Sequence, residues 1–383
     1  RNLISIYLKL IDFREKWLKE LSEGKNIEPI HLVFVEEPEA HLHAQAQQVF
    51  VKKAFEALCN NKLIEENPWL STQLVLSTHS NHVVNELDLN CMRYFKRVID
   101  VGEKIPVSKV VNLSSTFGTD DETKQFVTRY IRLTHCDIFF SDAVVLVEGP
   151  AEKILVPSFL VKAGLDSYYI SVIEVNGRHA HSFRKLIEKI GIAALIVTDI
   201  DATDTKVGED GKEIHPSVIT AKGNDYKTGN PSIKSWLSGK EQIDDLLALD
   251  EKEKLVNNVR IAFQTPVNVK WDKNKDELTE VCPYTFEDAL IFTNLELFRQ
   301  EGLKKMGTIT TIANLLKHSN SANELQNKIF KKLESKSGFQ KADFAISLLY
   351  KDDFVDLVAP VYIQEGLEWM KSYLDSNGNR NGE

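Results

Sequence analysis

The stretch "LIVTDIDATD" drives an apolar run into three acids, Asp199, Asp201 and Asp204. Burying carboxylates is costly, and two on one side of a strand end also repel each other. A spacing of two in an extended segment points Asp199 and Asp201 to the same face. Upstream, "AVVLVEGPAEK" ends another apolar run with Glu148 and follows it with Glu152. Gly149 turns the chain there, Pro150 suits the first turn of a helix, and the helix dipole favours an acid at Glu152. Divalent cations give a reason for this crowding. Mg2+ prefers hard oxygen ligands, and two ions about 4 Å apart can stabilise both the attacking and the leaving oxygen of a phosphodiester. Asp204 either supports such a metal shell or caps the following turn.

A second acid pair, Glu36 and Glu37, closes the apolar run of "LVFVEEPEAHLH". In P-loop ATPases the first acid of such a pair holds Mg2+ and the second polarises the attacking water. Further on, "LVLSTHS" ends a second apolar run next to His79. The phosphate loop G-x-x-x-x-G-K-[ST] is absent from the sequence. The chain opens at Arg1 within what reads as an amphipathic helix, so we expect the C-terminal part of a longer protein. This piece alone is not expected to hydrolyse ATP.

The elements that must position these residues are legible in outline. Leu3, Tyr7, Leu10, Trp17 and Leu21 could line one face of a helix over about 1–22. "IHLVFVEE" and "TQLVLSTHS" read as buried strands, with a helix between them after "PEAHLH". "MRYFKRVIDVG" and "VSKVVNL" read as a hairpin-like β segment. A domain boundary is expected near 135–142, where "DETKQFVTRYIRL" gives way to "DAVVLVEG". From there strand, helix (150–164), strand ("YYISVIEV"), helix (about 179–190) and strand ("AALIVTD") alternate, which favours a parallel α/β sheet. Such sheets place their sites in the crevice outside the strands' carboxyl ends. Residues 202–240, rich in Gly, Asp, Lys and Ser, read as a long mobile insertion. "NVRIAFQTP" suits another strand, residues 284–375 are mostly helical, and the last residues are expected to be disordered.

The chain of 383 residues has room for two or three domains. A formal charge of −9 argues against non-specific attraction to nucleic acid or membrane by bulk charge. Local basic groups remain available near the acids: Arg178, Arg184, Lys185, Lys222, Lys227, Lys331, Lys332 and Lys336. The cysteines, at 59, 91, 136 and 282, show no C-x-x-C spacing, which fits a reducing cytoplasm rather than a zinc site or disulfide framework. No apolar stretch approaches membrane-spanning length.

Two resemblances gather these readings. "EEPEAHLH", a strand and then "STHS" resemble the ABC-type ATPases of the structural-maintenance and OLD (overcoming lysogenization defect) families. That resemblance implies that Glu36 is the Walker B metal acid, Glu37 the catalytic glutamate and His79 the switch histidine. Glu36 stands where the family usually has Asp. The order E-G-x-x-E followed by D-x-D, each after an apolar strand, resembles the Toprim domain over about 142–205. An ATPase half followed directly by Toprim is the arrangement of the OLD nucleases, a broad group that includes GajA-like and retron-associated effectors. "YTFEDAL" and "SGFQKADFA" also resemble these nucleases. They imply that Glu287 helps hold the second metal and that Lys341 stabilises transition-state charge.

The expected fold class is therefore α/β. Residues 1–138 form the C-terminal part of an ABC/OLD-type ATPase. Residues 139–383 form a Toprim nuclease domain, parallel-sheeted and Rossmann-like, with an insertion at about 202–280 and C-terminal helices. The resemblance implies metal-dependent cleavage of DNA, with two Mg2+ or Mn2+ ions held by Glu148, Glu152, Asp199, Asp201 and Glu287. It also implies ATP in the intact protein, a homo-oligomer, and a role in defence against phage, with a helicase or a retron reverse transcriptase and its DNA as possible partners. Two alternatives stay open: a non-catalytic ATP-regulated scaffold with a RecR-like Toprim, and a topoisomerase- or primase-like enzyme. No tyrosine stands out as a topoisomerase nucleophile.

Overall fold

The apolar runs that end in acids all form strands. The structure, a computed structural model, describes residues 2–40, 42–98, 105–116, 122–131, 136–175, 179–208, 211–272, 274, 276–300, 307–335, 339–349 and 356–378. It divides into two units, residues 1–95 with 110–140 and residues 96–109 with 141–383. Among the described residues no helix is long and apolar enough to cross a membrane.

In the first unit, β1 (Ile30–Glu36) pairs in parallel with β2 (Ser71–Ser77), with Glu36 opposite Ser77. Helices α1 (Asn2–Ser22) and α2 (Ala44–Cys59) pack against the pair. Leu10, Val33, Phe50, Ala54 and Leu58 form the core there, bordered by Leu3, Ile6 and Tyr7. The expectation of two buried strands needs correction. Phe34 is 70 % exposed, and Leu32 and Val75 are exposed too. A two-stranded sheet with helices on one side buries only the residues that point to that side. Two further strands, β3 (Arg93–Val98) and β4 (Val107–Asn112), pair with each other as the hairpin reading anticipated.

The second unit is built on a five-stranded sheet. Its centre is β5 (Ala143–Val147), flanked by β6 (Ile170–Glu174) on one side and β7 (Ala193–Val197) on the other. Strand Val259–Ala262 adds in parallel to β7, and Leu255–Val256 closes that edge antiparallel. Helix Pro150–Lys162 crosses from β5 to β6, and helix Arg184–Ile190 leads into β7. Gly191 ends the latter helix at φ +63°, the left-handed conformation in which glycine meets no Cβ penalty. Every residue of β5 and β7 is buried, the pattern of parallel strands covered on both faces. On one face Val145, Val147, Leu195 and Val197 join a core with Leu155, Phe159, Phe286, Leu290 and Ile363.

The C-terminal region is helical, as anticipated: Phe286–Thr293, Leu295–Phe298, Gly307–Lys317, Ala322–Leu333, Lys341–Leu349 and Val361–Gly378. The last of these lies so close to the sheet that a Cβ on Gly366 would meet Leu195 Cδ1 at 2.6 Å. The segment expected as a mobile insertion also needs correction. Thr228, Asn230, Ser232, Ile233 and Trp236 are buried, and helix Pro231–Trp236 is capped by Asn230. Its polar composition is spent partly on exposed short strands at 206–207 and 213–214 and partly on internal hydrogen bonds.

Candidate functional site

Register brings the acids of the second unit to one end of the sheet. Val147 pairs with Val197, and Val197 with Ala262, so Glu148, Thr198 and Phe263 emerge together at the carboxyl edge. Asp201 takes φ +49°, an uncommon conformation that Asp tolerates better than most residues. Its carbonyl accepts the Gly229 N–H at 2.8 Å, which ties the turn after β7 down. Glu152 follows Gly149 and Pro150 in the first turn of its helix and is 2 % exposed.

Glu287 and Lys341 reach the same place from distant parts of the chain. Glu287 lies in the first turn of helix Phe286–Thr293 and is fully buried. Lys341 begins the helix Lys341–Leu349. Its Nζ stands 3.0 Å from Glu287 Oε2 and 3.9 Å from Asp199 Oδ2, with the side chain still 37 % exposed.

The electrostatics follow from this crowding. Burial pushes the Glu152 carboxyl up to about 8, with Glu287 and Glu148 adding repulsion and Lys341 partly offsetting it. Burial likewise raises Asp199 well above the carboxylate range; Glu148, Glu152 and Asp201 raise it further and Lys341 opposes them. Desolvation works against the Lys341 charge, but Glu287, Asp199 and Glu152 outweigh it and hold the ammonium above its ordinary range. Without a cation, Glu152 and Asp199 therefore hold protons that a bound divalent ion would displace, beside the Lys341 ammonium.

Among the described residues no three His, Cys, Asp or Glu side chains already close round one point as a metal cage. The donor set nevertheless fits a hard divalent cation. All the candidates are carboxylates, and buried oxygens on Glu152 (Oε2) and Glu287 (Oε1) have no hydrogen-bond partner.

Neutral polar residues brace the acids. Gln264, one residue past the strand end, donates from Nε2 to Asp199 Oδ1 at 2.6 Å and accepts the Ile200 N–H at 2.7 Å. The Phe286 N–H donates to the same Asp199 oxygen at 3.0 Å. Thr198 Oγ1 donates to Glu148 Oε1, and Asn230 Nδ2 donates to Glu148 Oε1 at 2.8 Å and to Asp201 Oδ2 at 3.1 Å. Sequence reasoning missed Thr198, Asn230 and Gln264. "GNPS" did carry a signal for Asn230, since Asn followed by Pro is a helix N-cap followed by a favoured first residue.

Other residues fall elsewhere. Asp204 is not brought into the group; its Oδ2 pairs with Lys206 Nζ at 3.2 Å. Asp288, beside Glu287, is 1 % exposed and accepts the N–H groups of Tyr284 and Thr285 at 2.7 Å each. Burial raises its carboxyl to about 7, although those N–H groups pull it down. Arg184 is used inside the fold, stacked 4.8 Å over Trp236 and paired with Glu188. Lys222 pairs with Glu280 at 2.8 Å. His179 and His181 flank each other with ring centroids 6.2 Å apart, and Arg178 and Lys336 lie outside the described residues.

The first unit holds the other acid pair in the open. Glu36 ends β1 exposed. Glu37 follows at φ +42°, its N–H donating to Ser77 O at 3.0 Å. His79 Nε2 stands 3.2 Å from Glu37 Oε1. Glu39 clamps the loop after β2, its Oε1 accepting Thr78 Oγ1 at 2.8 Å and the His79 N–H at 2.6 Å.

Comparison with known families bears on both units. The model of the overcoming lysogenization defect protein-like TOPRIM domain matches residues 139–201, the stretch that carries Glu148, Glu152, Asp199 and Asp201. Residues 139–201 belong to the OLD-like Toprim family. An AAA ATPase domain model matches residues 1–84, which include Glu36, Glu37 and His79. Endonuclease GajA of Bacillus cereus (strain HuB5-5) is 29 % identical over 388 residues, covering 98 % of this chain and 53 % of that protein. Endonuclease GajA of Bacillus cereus (strain VD045) is 23 % identical over 266 residues, covering 68 % of this chain and 37 % of that protein. The chain thus spans about half, or less, of the curated relatives it matches. The C-terminal region of the Xanthomonas campestris pv. campestris OLD protein aligns with 64 % of this chain and 99 % of its own, at 19 % identity and a TM-score of 0.34; so loose a likeness carries no argument. The Toprim sheet and its acids stand on the family match and the strand register.

Proposed function

We propose that the Toprim unit is a divalent-metal-dependent DNA endonuclease and that the ATPase unit, complete in the full-length protein, regulates it. The observation that carries this reading is the convergence of Glu148, Glu152, Asp199, Asp201 and Glu287, the last four buried, at one end of the sheet, with Lys341 beside Asp199 and Glu287. A scaffold has no use for so costly a cluster. The relatives named as endonucleases support the same reading.

In this reading the five carboxylates offer hard oxygen ligands. Mg2+ or Mn2+ ions bound there supply positive charge for the phosphate and lower the barrier to attack by water. Lys341, beside Glu287 and partly open to solvent, balances charge that develops on the phosphate oxygens. Gln264 and the Phe286 N–H keep Asp199 aimed by occupying its Oδ1 and leaving Oδ2 to the site. In the other unit, Glu36 serves the Mg2+ of ATP, Glu37 orients the attacking water, and His79 reads the terminal phosphate. The cellular role we propose is defence against phage, carried out by a homo-oligomer.

The test is incubation of the full-length protein with supercoiled plasmid and Mg2+ or Mn2+, with and without ATP. Cleavage that needs the metal and is lost in Asp199→Ala is the expected result. No cutting under any metal, nucleotide or substrate condition overturns the nuclease reading.

A further inference from the structure

Asn230 is fully buried and caps helix Pro231–Trp236. Its Oδ1 accepts the Ser232 N–H at 2.8 Å. Its own N–H donates to Thr228 Oγ1 at 3.0 Å, and that hydroxyl donates to Ile200 O at 2.7 Å. With the oxygen committed to the cap, the NH2 group must face the other way. There it meets Glu148 Oε1 at 2.8 Å, Asp199 O at 2.8 Å, Thr198 Oγ1 at 2.9 Å and Asp201 Oδ2 at 3.1 Å. An amide NH2 carries two hydrogens, so these four acceptors compete for them. The two carboxylates among them come from different places, the end of β5 and the turn after β7.

We infer that Asn230 is a positioning residue for the divalent-cation site: one neutral amide ties Glu148 and Asp201 together and presents their remaining oxygens to the cation. The inference rests on the cation-binding reading proposed above. Its chemistry explains why an amide stands here. A Lys or Arg could hold the same two acids, but it would add a second positive charge beside Lys341 and weaken the pull on the cation. An amide fixes them and leaves the negative charge undiminished. Thr198 completes the device, since its hydroxyl donates to Glu148 Oε1 and accepts from Asn230. Groups that orient metal ligands in this way commonly change metal affinity by about 10- to 100-fold when removed.

The full-length protein with Asn230→Ser tests this. Serine is also a strong N-cap, so the helix start is kept while the NH2 is lost. Binding of Mn2+ alone is measured by electron paramagnetic resonance, and half-saturating Mn2+ for plasmid cleavage is measured in parallel. The expected result is a rise of about 10- to 100-fold in the Mn2+ dissociation constant, with cleavage shifting by the same factor and recovering at high Mn2+. Ser321→Ala, which removes the N-cap of helix Ala322–Leu333, is the matched control: it lowers the melting temperature and leaves Mn2+ affinity alone. If Asn230→Ser does not fold, Asn230→Thr carries the same test, because its hydroxyl also caps a helix start while the NH2 is lost. A variant that binds Mn2+ within about twofold of the native protein overturns the inference, far below the change expected of a ligand-orienting group. So does a native protein that binds no Mn2+. A native protein that binds Mn2+, loses it in the variant and never cuts DNA overturns the nuclease reading and leaves this one standing.

Discussion

Both units end apolar strands in acids, yet the two sets live in opposite surroundings. Glu37 has a side chain 51 % exposed, and its partner His79 is 81 % exposed. Glu152, Asp199 and Glu287 are at most 7 % exposed. An exposed carboxylate keeps its water and costs the fold little. A buried one is held at a cost, and the raised pKa of Glu152 and Asp199 is the mark of that cost. The sheets differ in the same sense. The β1–β2 pair leaves Phe34 and Leu32 in the open, whereas β5 and β7 are covered on both faces. The contrast teaches that the Toprim acids are held out of water and shift one another, while Glu36 and Glu37 keep their water; in the proposed reading these two await a phosphate and further groups to act on.

The sharpest way to break this contrast is to remove one buried acid. Asp199→Ala in the full-length protein should cut plasmid cleavage by on the order of a thousandfold or more, since several kcal/mol of charge stabilisation go with it. Cleavage within a few-fold of the native rate would place the chemistry elsewhere.

A second test uses pH. The folded Glu152 carboxyl sits at about 8, above its ordinary 4.5, so the folded state holds the proton more tightly than the unfolded state. Its contribution to stability is therefore full below about pH 4.5 and is lost as pH rises through about 8. With a chelator present, the native melting temperature should fall across that window more steeply than that of Glu152→Gln. Parallel slopes would mean that Glu152 is not held protonated in the fold. Adding Mn2+ should reverse the trend, because cation binding expels the proton.

The same contrast explains what was legible in the sequence. Glu148, Glu152, Asp199 and Asp201 all lie within a few residues of the end of an apolar strand, so local pattern alone brought them to one sheet edge. Glu287 and Lys341 arrive from remote helices, and only the family resemblance singled them out. Asn230 escaped notice because it lies in a stretch whose Gly, Asp, Lys and Ser content imitates a solvated loop. Gln264 escaped because an amide after a strand carries no chemistry until its partner is known. Asp288 shows the same limit: an acid at a helix start is usually solvated, whereas here it satisfies two buried N–H groups. The β1–β2 faces were misjudged for the opposite reason: apolar runs forecast burial, but burial needs a covering layer.

A smaller effect should come from packing behind the buried site. Gly366→Ala would set a Cβ 2.6 Å from Leu195 Cδ1, in the middle of the strand that delivers Asp199. Overpacking of this kind costs about 1–3 kcal/mol, so thermal denaturation should report a drop of several degrees. Because the strain acts on β7, half-saturating Mn2+ should rise as well. A variant with native stability would show that the helix Val361–Gly378 can lift away from the sheet without cost.

The smallest expected effect lies at the exposed pair. Glu37→Gln removes a charge that solvent already screens and a contact to His79 that is largely open to water. Surface changes of this sort stay within about 0.5 kcal/mol, so the melting temperature should not move measurably. Its consequence should appear only when nucleotide is present: ATP turnover by the full-length protein falls while plasmid cleavage without nucleotide is unchanged. If Glu37→Gln instead destabilised the fold as a buried substitution does, this acid would be serving the structure, and the division between a waiting site and a buried one would fail at its exposed end.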